Sequence, residues 1–261
     1  MDAALLGFFA FLAGFIDSVV GGGGLIQIPA LLLLLPPDLA AGVAGVLGTN
    51  KFSSICGTSM AVAQYARKVR INWEAITPAA VSAMICAFAG ARLATRLNPE
   101  VMKPMILVAL VLVALYTYAK KDFGALHKPH LTPAKEVAVG IVSCGLIGFY
   151  DGLFGPGTGS FLIFAFIGLF GFDFLTASAN AKVINLGTNL AAVSYFAFTG
   201  NVYWKYAIAM AACNVIGNLL GARMAILKGN KFVRVFFLVV VSALIARLAW
   251  QMISDFTTPP K

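Results

Sequence analysis

Apolar residues run in blocks of about membrane-crossing length, and the polar positions between them mark where each block ends. A helical span needs about 20 apolar residues at 1.5 Å rise each. Residues 3–36 are too long for one crossing and carry four consecutive glycines, Gly21 to Gly24, near the middle. Each glycine weakens a helix by about 1 kcal/mol relative to alanine. The run therefore predicts a hairpin of two shorter helices, closed by "PPD" at Pro36 to Asp38. Spans follow near 39–65, 74–95 and 101–119, then a polar connection, "KKDFGALHKPHLTPAKE", over 120–136. Beyond it the order starts again, with a glycine-broken hairpin over 136–171 and spans near 174–198, 206–227 and 231–253.

The second half also repeats the letters of the first. "GFIDSVVGGG" matches "GFYDGLFGPG", so that Gly14, Phe15, Asp17, Gly21 and Gly23 recur 134 residues on as Gly148, Phe149, Asp151, Gly155 and Gly157. From residue 51 to 94 the offset is a constant 131: Lys51 recurs as Lys182, Trp73 as Trp204, and Gly90 to Arg92 as Gly221 to Arg223. Shared hydrophobicity does not produce matching glycines, aspartates, lysines and arginines. The reading is an internal repeat, with a first transmembrane repeat over 1–119, a cytoplasmic linker over 120–135 and a second repeat over 136–255. A returning hairpin plus three crossings is an odd number of crossings, so the second copy is expected to be inverted. The basic clusters "RKVR" (Arg67 to Arg70), "KK" (Lys120, Lys121) and "KGNK" (Lys228 to Lys231) then all fall on the cytoplasmic side, as the positive-inside rule requires.

Composition agrees with that organisation. The 261 residues are 60% hydrophobic and 11% charged, against roughly 25% charged in soluble domains. The fold class is an all-α polytopic integral membrane protein, with the lipid bilayer of the cell inner membrane as its surroundings. The net charge of +9 sits largely beside apolar spans, which argues against a nucleic-acid partner. Cys56, Cys86, Cys144 and Cys213 are scattered singly, with no CxxC, so neither a metal site nor a disulfide framework is expected. The N-terminus has no basic n-region or A-x-A-like cleavage site and reads as mature structure. The glycine runs are not followed by Gly-Lys-Ser/Thr, so "GGGG" is no P-loop and no cofactor is implied. A homodimer is left open by the sequence.

Broken helices at matching places in two inverted copies point to a transport site near the bilayer midplane. Unwound backbone at membrane depth is tolerated where it lines a cavity or is buried in protein. Half-helix N-termini there present N–H groups to an anion. Gly21, Gly22, Gly23 and Gly24 in the first copy, and Gly155, Gly157, Thr158 and Gly159 in the second, are the candidate backbone contacts; Pro156 offers no N–H. The alternative role for these glycines is close helix packing. Lys51 and Lys182 lie in the middle of otherwise apolar spans, where a charged residue is a functional candidate by default. They read either as substrate contacts or as structural partners of Asp17 and Asp151, and those aspartates alternatively carry a coupling proton. Short hydrogen-bonding side chains surround each lysine: Thr49, Asn50, Ser53 and Ser54, then Ser178, Asn180, Asn185, Thr188 and Asn189. Arg92 and Arg223 read as interfacial anchors or as gates. Asn214 and Asn218 share one helix face, lining the path or bonding across helices. Repeated intramembrane bases outnumber the acids, which favours an anionic substrate.

"GFIDSVVGGGGLIQIPALL", "AGVLGTNKFSS" and "GFYDGLFGPGTGSFL" together resemble the TauE/SafE sulfite exporter family of bacterial inner-membrane permeases, in particular its YfcA-like branch. The resemblance implies an α-helical permease of two homologous halves moving sulfite, sulfoacetate or other organosulfonates. It implies substrate-binding roles for Gly21 to Gly24, Gly155 to Gly159, Asn50 and Lys51; the second copy reads Asn180-Ala181-Lys182, so only Asn180 and Lys182 carry over. The resulting expectation is a secondary transporter with alternating access, without catalytic residues. An uncoupled anion channel is the runner-up. A membrane enzyme or lipid-handling protein would want a clustered nucleophile or carboxylate pair, and none is visible.

Overall fold

The helices of this computed structural model end where the sequence stops supporting them. The structure is described over residues 2–40, 42–96 and 127–257. Its elements are α1 (Asp2–Val20), α2 (Gly24–Leu34), α3 (Pro37–Ala40), α4 (Val43–Lys68), α5 (Trp73–Ala94), α6 (Pro133–Leu153), α7 (Thr158–Phe170), α8 (Phe174–Phe198) and α9 (Trp204–Thr257). The expected span at 101–119 and residues 120–126 of the linker lie outside the described residues. All the elements found are helices. Inside α9 the backbone breaks at Gly229 (φ 69°, ψ −165°), which separates the two spans expected at 206–227 and 231–253.

Both glycine-broken hairpins form, but their limbs are unequal. α1 has 19 residues and α2 has 11; α6 has 21 and α7 has 13. At 1.5 Å per residue the first limbs are about 30 Å long, close to a full hydrocarbon thickness, whereas the second limbs are about 16–20 Å. Hydropathy alone reads each hairpin as two short helices, because it does not register how far the polar break lies from the middle.

Small residues set the packing. α1 lies mainly against α9, and α6 mainly against α5. A Cβ on Gly14 would overlap the Asn214 carbonyl, and one on Gly148 would overlap that of Ala83. Gly221 is pressed in the same way against the Phe15 carbonyl, and Gly90 against that of Phe149. Without a hydrophobic drive between helices in lipid, such close backbone approach supplies much of the association energy. α4 and α8, the helices carrying the two lysines, pack on each other, with α9 beside α4 and α5 beside α8.

The surface is the reverse of a soluble protein's. Leu146 is 71% and Ile85 67% exposed, whereas Lys51, Asn50, Lys182, Asn185 and Asn189 are buried. A buried polar centre with an apolar exterior is the arrangement of a membrane protein. Among the described residues, three helical segments are long and apolar enough to cross a bilayer: Trp73–Ala94, Pro133–Leu153 and Trp204–Val233. α4 and α8 are longer than the first two of these, but carry lysine, asparagine, serine and threonine on the faces they bury.

The broken end of α1 illustrates the cost of unwinding inside a protein and how it is met. A helix end leaves its last four carbonyls without intrahelical partners. The Asp17 carbonyl accepts from the Gly21 N–H at 2.8 Å. The Ser18 carbonyl accepts from the Tyr65 hydroxyl (2.8 Å), Val19 from Ser178 Oγ (2.9 Å) and Val20 from Ser160 Oγ (3.2 Å). Three hydroxyls from α4, α8 and α7 thus close the end of α1. Tyr65→Phe removes one of them and strands a buried carbonyl. The expected loss is about 1–3 kcal/mol of stability, read as a lower thermal midpoint in detergent; an unchanged midpoint would show that the bond contributes nothing.

Candidate functional site

Gly21 (φ +75°) and Gly22 (φ +88°) turn the chain out of α1, and Gly155 (φ +84°) and Gly157 (φ +82°) turn it out of α6. These are left-handed backbone positions that residues with a Cβ rarely adopt. The two turns meet: a Cβ on Gly21 would overlap the backbone of Gly159 and Ser160, and one on Gly24 would lie 3.4 Å from Pro156 Cα. α2 starts at Gly24 and α7 at Thr158, so two helix N-termini converge on one place. Such ends carry partial positive charge and N–H donors suited to an anion.

Asp17 occupies the last turn of α1 and Asp151 the last turn of α6. Each meets a lysine from the other half of the chain. Lys182 Nζ donates to Asp17 Oδ2 at 2.7 Å, and Lys51 Nζ lies 2.6 Å from Asp151 Oδ1. Both pairs are taken out of solvent, with Lys51 3%, Asp151 1%, Lys182 0% and Asp17 15% exposed. Desolvation of this kind costs several kcal/mol per ion, and the pair's attraction only roughly offsets it. Packing alone therefore gives little reason for four charges here.

The two pairs differ in their further support. Asp17 Oδ1 also accepts from the Gly23 N–H at 3.3 Å. Neither oxygen of Asp151 accepts an aligned hydrogen bond among the described residues, and its contact with Lys51 is one of charge and proximity. Tyr150, next to it, donates its hydroxyl to the Pro156 carbonyl at 2.7 Å and so braces the second turn.

Between the turns lies a small polar cavity of about 20 Å³. That is room for a water or two. Its wall includes Asp17, Gly22, Gly23, Gly24, Asn50, Lys51, Asp151, Gly155, Gly157, Thr158 and Gly159. The remaining expected residues fall elsewhere. Gly21 packs against Gly159 behind the wall. Lys182 reaches the site through Asp17. Asn180 turns back along its own helix and donates to the Thr176 carbonyl at 2.7 Å. Arg92 and Arg223 are exposed and are not on the wall. Asn214 bonds across helices, to the Ala10 carbonyl (3.2 Å) and Gln27 Oε1 (3.1 Å).

Ser54, Asn185 and Asn189 complete the wall. The sequence places them near the lysines but gives no reason to prefer them to their neighbours. A usable signal is nonetheless present: Ser54 and Asn185 are the same position in the two halves, 131 residues apart. Each lies one helical turn beyond its lysine and so shares that face.

The comparisons with known proteins agree on the kind of protein. A protein 39% identical over 239 residues, covering 92% of this chain and 89% of its own length, is the "Probable membrane transporter protein ORF9" of Sinorhizobium sp. A "Probable membrane transporter protein" of Haemophilus influenzae is 32% identical over 249 residues, covering 95% of this chain and 94% of its own length. "Probable membrane transporter protein YfcA" of Escherichia coli K12 is 31% identical over 249 residues, covering 95% and 89%. No solved structure matches the chain. The family described as sulfite exporter TauE/SafE matches residues 6–248, a stretch that holds both glycine turns and all four charges of the two ion pairs. With a match of that extent, the chain belongs to the TauE/SafE family.

Proposed function

We propose that this protein is a secondary transporter that moves small sulfur-containing oxyanions, such as sulfite or organosulfonates, across the bacterial inner membrane as a multi-pass permease. The observation that carries the reading is the pair of crossed Asp–Lys contacts set at two glycine turns. The Lys51 ammonium, two helix N-termini and the amides of Asn50, Asn185 and Asn189 gather round one cavity, with the Lys182 ammonium joined to it through Asp17. An oxyanion offers many acceptor oxygens to such donors.

The halves act as inverted repeats in this reading. Equivalent glycines meet equivalent carbonyls (Gly14 and Gly148, Gly221 and Gly90), and equivalent aspartates meet equivalent lysines. Each ion pair bridges the halves, so exchanging a carboxylate for the anion at either lysine loosens the contact between them. That couples binding to the rocking motion of alternating access. Arg92 and Arg223 are assigned to the membrane interface, where their exposure fits anchoring.

Purified protein in proteoliposomes is expected to exchange internal for external labelled sulfite, sulfoacetate or methanesulfonate, saturably and with counterflow. Flux linear in concentration, without counterflow, would make it a channel. Absence of flux for the whole set would overturn the proposal.

A further inference from the structure

We infer that a monovalent anion crosses together with one proton, and that Asp151 is the group that takes it. The inference rests on the anion-carrier reading above and names its coupling ion. Two aspartates and two lysines make up the charge of the site, so their formal sum is zero. A monoanion entering it leaves a formal net charge of −1 in a desolvated space, which the partial charges of the two helix N-termini offset only in part. A proton restores the balance. It has to arrive on a carboxylate, because loss of a proton from a lysine would make the sum more negative.

The two carboxylates are unequal candidates. If Lys182 swings to the anion, Asp17 keeps the Gly23 N–H. If Lys51 swings to it, Asp151 keeps nothing, since neither of its oxygens accepts another hydrogen bond among the described residues. A buried carboxylate without a counter-charge or donor takes a proton. The groups facing Asp151 leave no substitute. Tyr150, beside it on α6, gives its hydroxyl to the Pro156 carbonyl; α4 brings Lys51, and across the cavity stands Asp17 from α1, paired with Lys182 from α8. α7 brings Thr158, which donates its own hydroxyl to the Gly155 carbonyl at 2.9 Å. α5 packs along α6 with Ala83, Ala87 and Gly90, and its Arg92 is exposed. In the step itself no covalent bond between heavy atoms changes. A proton passes from water to an Asp151 carboxylate oxygen, and Lys51 Nζ leaves that carboxylate for an oxygen of the anion.

Methanesulfonate is the test probe, because it is a monoanion with no titratable proton of its own near neutral pH. Binding to the purified protein in weakly buffered detergent is expected to take up one proton per anion. In proteoliposomes, an inward proton gradient is expected to drive its accumulation, whereas a potential imposed with potassium and valinomycin is not. Asp151→Asn is expected to lower the proton-to-anion ratio of the remaining flux from one to zero. Asp151→Glu keeps the ratio and controls for misfolding. The inference is overturned by anion binding without proton uptake, by accumulation that follows membrane potential or a sodium gradient, or by a ratio of one in Asp151→Asn. If methanesulfonate is not bound or exchanged, isethionate, a second monoanion without a titratable proton near neutral pH, takes its place with one proton expected per anion. If counterflow is absent for every anion, the carrier reading itself has failed.

Discussion

Lys51→Ala is expected to cost both anion exchange and stability, and the two losses separate when Asp151 is changed with it. Removing the lysine leaves Asp151, 1% exposed, without its only charge partner among the described residues. Breaking a buried pair in this way typically costs about 3–5 kcal/mol, whereas replacing both members by apolar groups is often neutral. The double variant Lys51→Met with Asp151→Ala should therefore recover most of the thermal midpoint that Lys51→Ala loses. Exchange should not recover with it. A charged hydrogen bond contributes about 1.5–3 kcal/mol, so losing one to the anion weakens binding roughly 10- to 100-fold at 1.4 kcal/mol per decade. Thermal unfolding with and without methanesulfonate, beside counterflow, reads both quantities. A stable double variant that still exchanges at the wild-type rate would reduce Lys51 to a structural partner. The same comparison at Lys182 and Asp17 tests the other crossing, with a smaller stability loss expected because Asp17 keeps the Gly23 N–H.

The depth at which these four charges sit is legible in the sequence alone. Hydropathy locates the helices α4, α5 and α8 to within a few residues, and the two offsets, 134 and 131, pair Asp17 with Asp151 and Lys51 with Lys182 as equivalents. Partnership is not legible there. Position along an apolar segment gives height in the bilayer and says nothing about which side chain stands opposite. The crossing of the pairs depends on α4 meeting α6, and α8 meeting α1, contacts between residues 100 and 165 positions apart. Asn180 shows the same limit at the scale of one turn. It lies close to Lys182 in sequence but on another helix face, where its amide finds the Thr176 carbonyl. The hydroxyls of Tyr65, Ser160 and Ser178 look unrelated in the chain because the carbonyls they serve are freed only where α1 ends. The unequal hairpin limbs have a similar origin, since α1 and α6 continue as helices through Asp17 and Asp151 up to the glycine turns.

A graded series of alanine substitutions at three glycines isolates the contact between the two turns. Gly200, Gly22 and Gly21 all have φ between +74° and +88°, so each alanine incurs a similar left-handed backbone strain of about 1–2 kcal/mol. Their surroundings differ. A Cβ on Gly200 meets nothing within 4 Å; one on Gly22 lies 3.2 Å from Leu25 Cδ1 and 3.4 Å from Ser160 Oγ, both side-chain atoms able to shift. One on Gly21 runs into the backbone of Gly159 and Ser160, which has no rotamer to change. Overpacking against such a wall adds about 1–3 kcal/mol. The expected order of destabilisation is Gly200→Ala, then Gly22→Ala, then Gly21→Ala at about 2–5 kcal/mol in all, read from thermal midpoints in one detergent. Because Ser160 also caps the Val20 carbonyl, the displaced backbone in Gly21→Ala opens the end of α1 and moves the N-terminus of α7 off the cavity. Counterflow should consequently fall further in Gly21→Ala than its stability loss accounts for, while Gly200→Ala exchanges at the wild-type rate. Equal midpoints for Gly21→Ala and Gly200→Ala would mean that the two turns do not touch, and the shared anion site would lose its framework.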